Sequence, residues 1–141
     1  GLAAYVRDDW YKLYMSDIGL LSAMYGMAVK RAILDDRLSG SMKGGVYENF
    51  VCGELARRGF PIRYFKTEQG DAEVEFVLEN EDGVIPVEVK ARNGASLSLD
   101  RALKCRSVPY GYKFTSGNVG TVGKKTSLPH YMAMFLAPVG E

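Results

Sequence analysis

One histidine, one tryptophan and two cysteines are all that the 141 residues contain of those types. A Ser-His-Asp or Cys-His catalytic site would therefore depend on His130 alone. That residue lies in an aromatic, Met-rich stretch (Tyr131, Met132, Met134, Phe135) and reads as a packing residue. Cys52 and Cys105 make no disulfide framework and lack metal-ligand spacing. Cys52 falls in a predicted helix and reads as a buried thiol. No apolar run of membrane-spanning length, signal peptide or lipidation motif is visible, which points to a cytoplasmic protein without a membrane partner. A phosphate loop is also missing. Between Gly117 and Gly123-Lys124 stand five residues where the nucleotide-binding pattern needs four, and a second lysine, Lys125, intrudes. We expect no ATP site in this chain.

What is present suits one soluble α/β domain over residues 1–141, with average apolar and charged content. The net charge of +1 hides a strong segregation. Residues 1–63 sum to +2, residues 64–83 to −6 and residues 84–141 to +5. An acidic centre followed by a basic half fits a cation site beside an anion-binding surface. The chain opens on Gly1-Leu2-Ala3, and we expect a piece of a longer protein with Gly1 as a cloning remnant.

The acidic centre holds the most informative pattern. In 72–78, Ala72, Val74, Phe76 and Leu78 alternate with Glu73 and Glu75. In 85–90, Ile85, Val87 and Val89 alternate with Glu88 and Lys90. Period-2 alternation marks half-buried strands, and the intervening Asn80-Glu81-Asp82-Gly83 ends in a strong turn signal. A four-residue loop there makes Glu79 face Val84. By extension Glu75 faces Glu88, and Glu73 faces Lys90. Two opposed carboxylates, with Cβ atoms roughly 5 Å apart, need a raised pKa or a cation between them. Mg²⁺ or Mn²⁺ would serve, with Lys90 on the same face to steady a water or a phosphate oxygen. The plain alternative is a solvated hairpin face on which Glu73 bridges Lys90.

Around this hairpin we expect a short strand at Lys12–Met15, and then a helix capped by Ser16 or Asp17 that ends near Gly26. A helix over Met27–Asp36, a flexible connection over Arg37–Gly45 and a long helix over Val46–Arg58 closed by Gly59 follow. Val46, Tyr47, Phe50, Val51 and Leu55 form the apolar arc of that long helix. Glu54 lies inside the arc and Glu48 at its edge, the latter placed to be a third cation ligand. Pro61–Lys66 reads as a strand, Leu99–Arg106 as a basic helix capped by Ser98, and Tyr110–Thr115 as a strand. A Gly-rich connection over 117–125 then leads to a helix near Leu128–Leu136.

This order of pieces resembles the restriction-endonuclease-like, PD-(D/E)XK superfamily. More closely, it is similar to the uncharacterised C-terminal domain of prokaryotic AAA-type ATPases. The matching stretches are Lys12 to Leu21, Gly45 to Val51, Glu73 to Leu78 and Ile85 to Ala91. The resemblance implies a mixed sheet flanked by helices and an ATPase module upstream. It also implies a Mg²⁺- or Mn²⁺-dependent deoxyribonuclease site with Glu48 as the helix acid, Glu75 as the strand acid and Glu88 with Lys90 as the (D/E)-x-K pair. Arg92, Arg101, Lys104 and Arg106 would hold a nucleic-acid backbone. Members usually carry Asp where Glu75 stands. Asp71 is the other nearby acid, roughly 13 Å away along an extended strand. Two alternatives therefore stay open beside the enzyme. One is a degenerate nuclease fold that serves the ATPase as a DNA-binding or protein-docking module, favoured by Glu75. The other is a domain for oligomer assembly, which the many Met and Tyr residues permit.

Overall fold

The computed structural model describes residues 2–7, 9–67 and 72–138; Asp71 lies outside them. Helix α1 (Ile18–Tyr25) starts where expected, with the Asp17 carboxylate accepting from the Leu20 N–H at 2.7 Å. It stops at Gly26, whose φ of 82° suits a residue without a Cβ. Helix α2 (Met27–Leu34) follows. Helix α3 runs over Gly40–Arg57, so the connection expected over Arg37–Gly45 is in its second half helical. Gly40, Gly44 and Gly45 are poor helix formers. Tertiary contact overrides them here, because Lys43 and Val46 are both buried in this first stretch. The helix ends before Gly59, which takes φ 85°.

The expected strand at Lys12–Met15 belongs to no sheet. Its place is held by the buried Asn49 of α3, which accepts from the Met15 N–H at 2.8 Å and donates to the Met15 carbonyl at 3.0 Å. A single side chain thus satisfies the two backbone groups that a neighbouring strand would otherwise take.

After α3 come β1 (Phe65–Lys66), β2 (Glu73–Val74), β3 (Phe76–Asn80) and β4 (Gly83–Val89). Strand β1 is shorter than the Pro61–Lys66 expected, and it pairs antiparallel with β2 in a separate two-stranded sheet. Strands β3 and β4 pair in the expected register, Glu79 opposite Val84, with the ladder running from Phe76 opposite Val87 to Asn80 opposite Gly83. The turn is tighter than expected, since only Glu81 and Asp82 lie outside the pairs. Next are α4 (Leu97–Ala102), β5 (Gly111–Thr115), β6 (Gly120–Val122) and β7 (Lys125–Pro129). The main sheet has the order β3-β4-β5-β7-β6, with β4, β5 and β7 mutually parallel and both edge strands antiparallel. This is a mixed sheet flanked by helices, and α4 makes the crossover from β4 to β5.

Strand β4 is not half-buried. Ile85 through Val89 are all buried, because α3 packs on one face of the sheet and α4 on the other. Helix α4 begins two residues before the expected Leu99 and ends four before Arg106, leaving Lys104 and Arg106 in the following turn. Ser98 does not cap it; its hydroxyl accepts from the Glu73 N–H at 3.5 Å. At the other end of the chain, the expected connection and helix are a β6-β7 hairpin turning at Gly123 (φ 57°), then a 3-10 segment over His130–Phe135. The Thr126-Ser127-Leu128 run pairs along β5 as the third parallel strand, and sheet pairing displaces the helix.

The core comprises Val51, Cys52 and Leu55 of α3 against Phe76, Leu78, Ile85, Val87, Val89, Phe114 and Leu128. Helices α1 and α2 contribute no buried residue and expose Leu20, Met24, Met27 and Leu34. Among the described residues no helix is long and apolar enough to cross a membrane. On the α4 face, Gly111 makes the close approach possible. A Cβ there would lie 2.9 Å from the Pro86 carbonyl oxygen and 2.9 Å from Leu99 Cδ1. Gly111→Ala should therefore cost about 1–3 kcal/mol through forced backbone shifts, read as a lower denaturation midpoint. A midpoint equal to that of the parent would show that α4 is not tightly packed on the sheet.

Candidate functional site

Strand β3 stops at Phe76 because the chain turns away at Glu75 to pair β2 with β1. In an unbroken ladder Val74 would face Val89 and take its N–H. The Glu75 carboxylate takes it instead, through Oε2 at 3.3 Å. Glu75 is therefore not paired across the ladder with Glu88, as the register alone suggested, yet its carboxylate still reaches the same place. Lys90 Nζ lies 2.8 Å from Glu88 Oε1 and 3.9 Å from Glu75 Oε1. Glu73 does not face Lys90. It faces Lys66 across the small sheet, and its carboxylate pairs with Lys66 at 3.7 Å and with Lys12.

Glu48, on α3, is close enough for its charge to act on both Glu75 and Lys90. Its Oε1 accepts from the Tyr14 hydroxyl at 2.5 Å and from the Lys12 ammonium at 3.1 Å. Burial, with Glu48 beside it, pushes the Tyr14 hydroxyl well above the usual phenol range. Glu54, the other acid of the helix, is paired with Arg57 one turn on. Among the described residues no three acidic, histidine or cysteine side chains converge as a ready metal-ligand cluster. Glu75 and Glu88 do meet, and Glu88 Oε2 is buried without a hydrogen-bond partner. Such an orphaned oxygen beside a second carboxylate suits a hard cation held by one or two carboxylates plus water.

Burial raises the Glu75 carboxyl to about 7, helped by Glu88 and Glu48 and opposed by Lys90. Lys90 is also raised, which for an amine favours the charged form. Burial works against its charge, but the hydrogen bond to Glu88 and the surrounding carboxylates outweigh it and hold the amine above its ordinary value. Its backbone is fixed on both sides, with the N–H donating to the Phe114 carbonyl at 2.8 Å and the carbonyl accepting from His130 Nε2 at 2.9 Å. His130 is buried and stacked on Tyr47, with ring centroids 4.1 Å apart. The expected packing histidine thus also positions the Lys90 segment. Cys52 is buried as expected, its thiol raised to about 11 by burial and by Glu48.

The four basic residues separate. Arg92 follows Lys90 in the bend beyond β4, and all four are exposed. Lys104 and Arg106 flank the turn that meets the start of β4, where the Ser107 carbonyl approaches Gly83. Glu88 lies roughly 17 Å further along that strand. Three side chains escaped notice in the sequence. Lys12 and Tyr14, on one side of an extended segment, close over Glu48. Lys113 faces Glu88 from β5 and is buried, with its ammonium on Asn93 Oδ1 at 3.2 Å and on the Gly94 carbonyl. The i, i+2 spacing of Lys12 and Tyr14 was the available signal.

The class defined by these features is a mixed α/β domain carrying a carboxylate–lysine cluster where two strands part. The chain belongs to the family described as Domain of unknown function (DUF4143), whose model matches residues 43–128. That span contains Glu48, Glu75, Glu88 and Lys90 and omits Lys12, Tyr14 and His130. No curated protein and no solved structure matches the chain.

The Glu75 shift has a definite sign. Its folded-state value, about 7, exceeds its ordinary 4.5, so the native state binds the proton more tightly in between. Stability should fall as pH rises from about 4.5 through 7, by up to about 3 kcal/mol from this group. Glu75→Gln keeps an acceptor for the Val89 N–H and removes the titration. The parent-minus-variant difference in denaturation free energy, measured with chelator from pH 4.5 to 8, should slope accordingly, and His130's opposite contribution cancels in it. A flat difference would place Glu75 in water.

Proposed function

We propose that this chain is the nuclease-like, PD-(D/E)XK-type domain of an AAA-type ATPase and cleaves phosphodiesters in DNA with Mg²⁺ or Mn²⁺. One observation carries the reading: Glu75, Glu88 and Lys90 converge at the opening between β2 and β4, with the second oxygen of Glu88 buried and unpartnered. Glu75 and Glu88 would hold the metal, and Lys90 now has its ammonium near both carboxylates. When bound, the ion would lower the pKa of a coordinated water and offset the charge that builds on the phosphate.

The chain's own residues supply the rest. Lys90 is held protonated by its carboxylates, so it acts as a cation that orients the attacking water or a phosphate oxygen rather than as the base. Glu48, gripped by Tyr14 and Lys12, orients a metal-bound water from the helix side. Arg92, nearest in the chain, meets the phosphate backbone at the site, and Arg101, Lys104 and Arg106 extend that contact along α4 and beyond.

A second reading rests on a different observation. Helices α1 and α2 have no fully buried residue and expose Leu20, Met24, Met27 and Leu34, an apolar surface suited to contact with another module of a longer chain. With Glu75 in the place of the customary Asp, the domain would then be a degenerate nuclease fold that docks on the ATPase or holds DNA without cutting it.

Cleavage of plasmid and single-stranded DNA in Mg²⁺ or Mn²⁺ separates the two. The parent should cut. Lys90→Ala and Glu88→Gln should each lose roughly 100-fold or more in rate with nucleic-acid affinity little changed, and Glu75→Asp should gain. Inactivity of every form, Glu75→Asp included, with DNA binding retained would leave the docking reading standing.

A further inference from the structure

A cavity opens beyond the carboxyl ends of β5 and β7, lined by none of Glu75, Glu88 and Lys90. It encloses about 450 Å³ and is walled mainly by apolar side chains, among them Ile33, Leu38, Val46 and Phe50. That volume is within the range of small-molecule sites. Its position also fits, because ligands of open α/β sheets bind outside the carboxyl ends of parallel strands.

Three features of the wall go beyond packing. Thr115, at the end of β5, lines this cavity, and its hydroxyl lies buried behind the wall without a hydrogen-bond partner. Lys43 is a buried cation, its side chain 7% exposed, and its charged partner is Asp36, whose own side chain is 76% exposed. Burying an ammonium is costly without a counter-charge, and here that charge comes from a solvated surface carboxylate on a residue at φ 52°, outside any helix or strand. Arg92 adds a weaker influence on the same carboxylate from outside the cavity wall. Finally, the stacked rings of Tyr47 and His130 line the cavity.

We propose that this cavity binds a small aromatic carboxylate: the ring lies among the apolar side chains beside Tyr47 and His130, and the carboxylate takes the place of Asp36 on Lys43. Asp36 is a built-in stand-in for the ligand's acid group, and its exposure makes the exchange easy. Because His130 also holds the Lys90 carbonyl at 2.9 Å, the wall of this cavity is continuous with the segment carrying Lys90. The proposal itself does not depend on nuclease activity.

The probes are 1-naphthoate and its uncharged counterpart 1-naphthalenemethanol, titrated into the ¹⁵N-labelled chain and followed by amide shifts. Naphthoate should move Lys43, Thr115 and His130 saturably and bind about tenfold or more tighter than the alcohol. Lys43→Met should erase that preference while leaving alcohol binding. Asp36→Asn removes the counter-charge of the buried Lys43, at a cost in melting temperature that bound naphthoate should restore, and should strengthen naphthoate binding several-fold because the internal competitor is gone. Ile33→Trp, at a half-buried position of the wall, should fill the cavity and abolish binding of both probes while the dispersed amide spectrum of the folded chain is kept. The proposal is overturned if naphthoate produces no saturable shift at those three residues. Equal affinity for acid and alcohol, or weaker naphthoate binding by Asp36→Asn, would overturn it as well.

Discussion

Val89 has an N–H directed toward β3 at a point where β3 has already ended. A backbone donor in a buried strand must find an acceptor, and the one it finds is the Glu75 carboxylate. The rest of the site follows from this substitution of a side chain for a ladder partner. It draws Glu75 out of water, which raises its pKa, and brings it within reach of the ammonium that also pairs with the buried Glu88. Two carboxylates so close, one of them almost fully desolvated, need positive charge between them. Lys90 supplies it, and for that reason stays protonated. The parting of β2 from β4 thus makes the opening and also dictates the charges within it.

Helix α3 distributes the consequences. Along its length Lys43 closes one cavity, Glu48 faces the carboxylate cluster, and Asn49 ties down the 12–15 segment that carries Lys12 and Tyr14. Val51, Cys52 and Leu55 build the core. Tyr47 stacks on His130, which bonds the Lys90 carbonyl. A single helix therefore lines the apolar cavity with its first turns and reaches the carboxylate cluster with Glu48. Its glycine-rich beginning is the part with the least intrinsic helical preference, held in place by the buried Lys43 and Val46.

Legibility in the sequence followed the range of the interactions. The helix cap at Asp17, the stops at Gly26 and Gly59 and the β3-β4 register were all readable, because each depends on a few neighbouring residues and on fixed periods of 2 or 3.6. The gathering of Glu75, Glu88 and Lys90 was also readable, but not its geometry. Where the ladder ends is decided by β1, which captures Glu73 and Val74 some eight residues downstream of itself. The strand misread as a helix near Leu128 has the same cause: β7 exists because β5 lies beside it. Lys12 and Tyr14 escaped notice as site residues because their partner, Glu48, is more than thirty residues away.

By itself, then, the amino-acid sequence determined an α/β domain and a central acidic hairpin with its register. Periodicity and turn residues encode those locally. Only the tertiary structure decided that β4 is buried on both faces, that Glu73 goes to Lys12 and Lys66 while Glu75 goes to Val89 and Lys90, and that Lys43 lies buried against an exposed acid. Those outcomes are competitions among distant groups for a limited number of partners, and they are settled by which surfaces the packed helices remove from water.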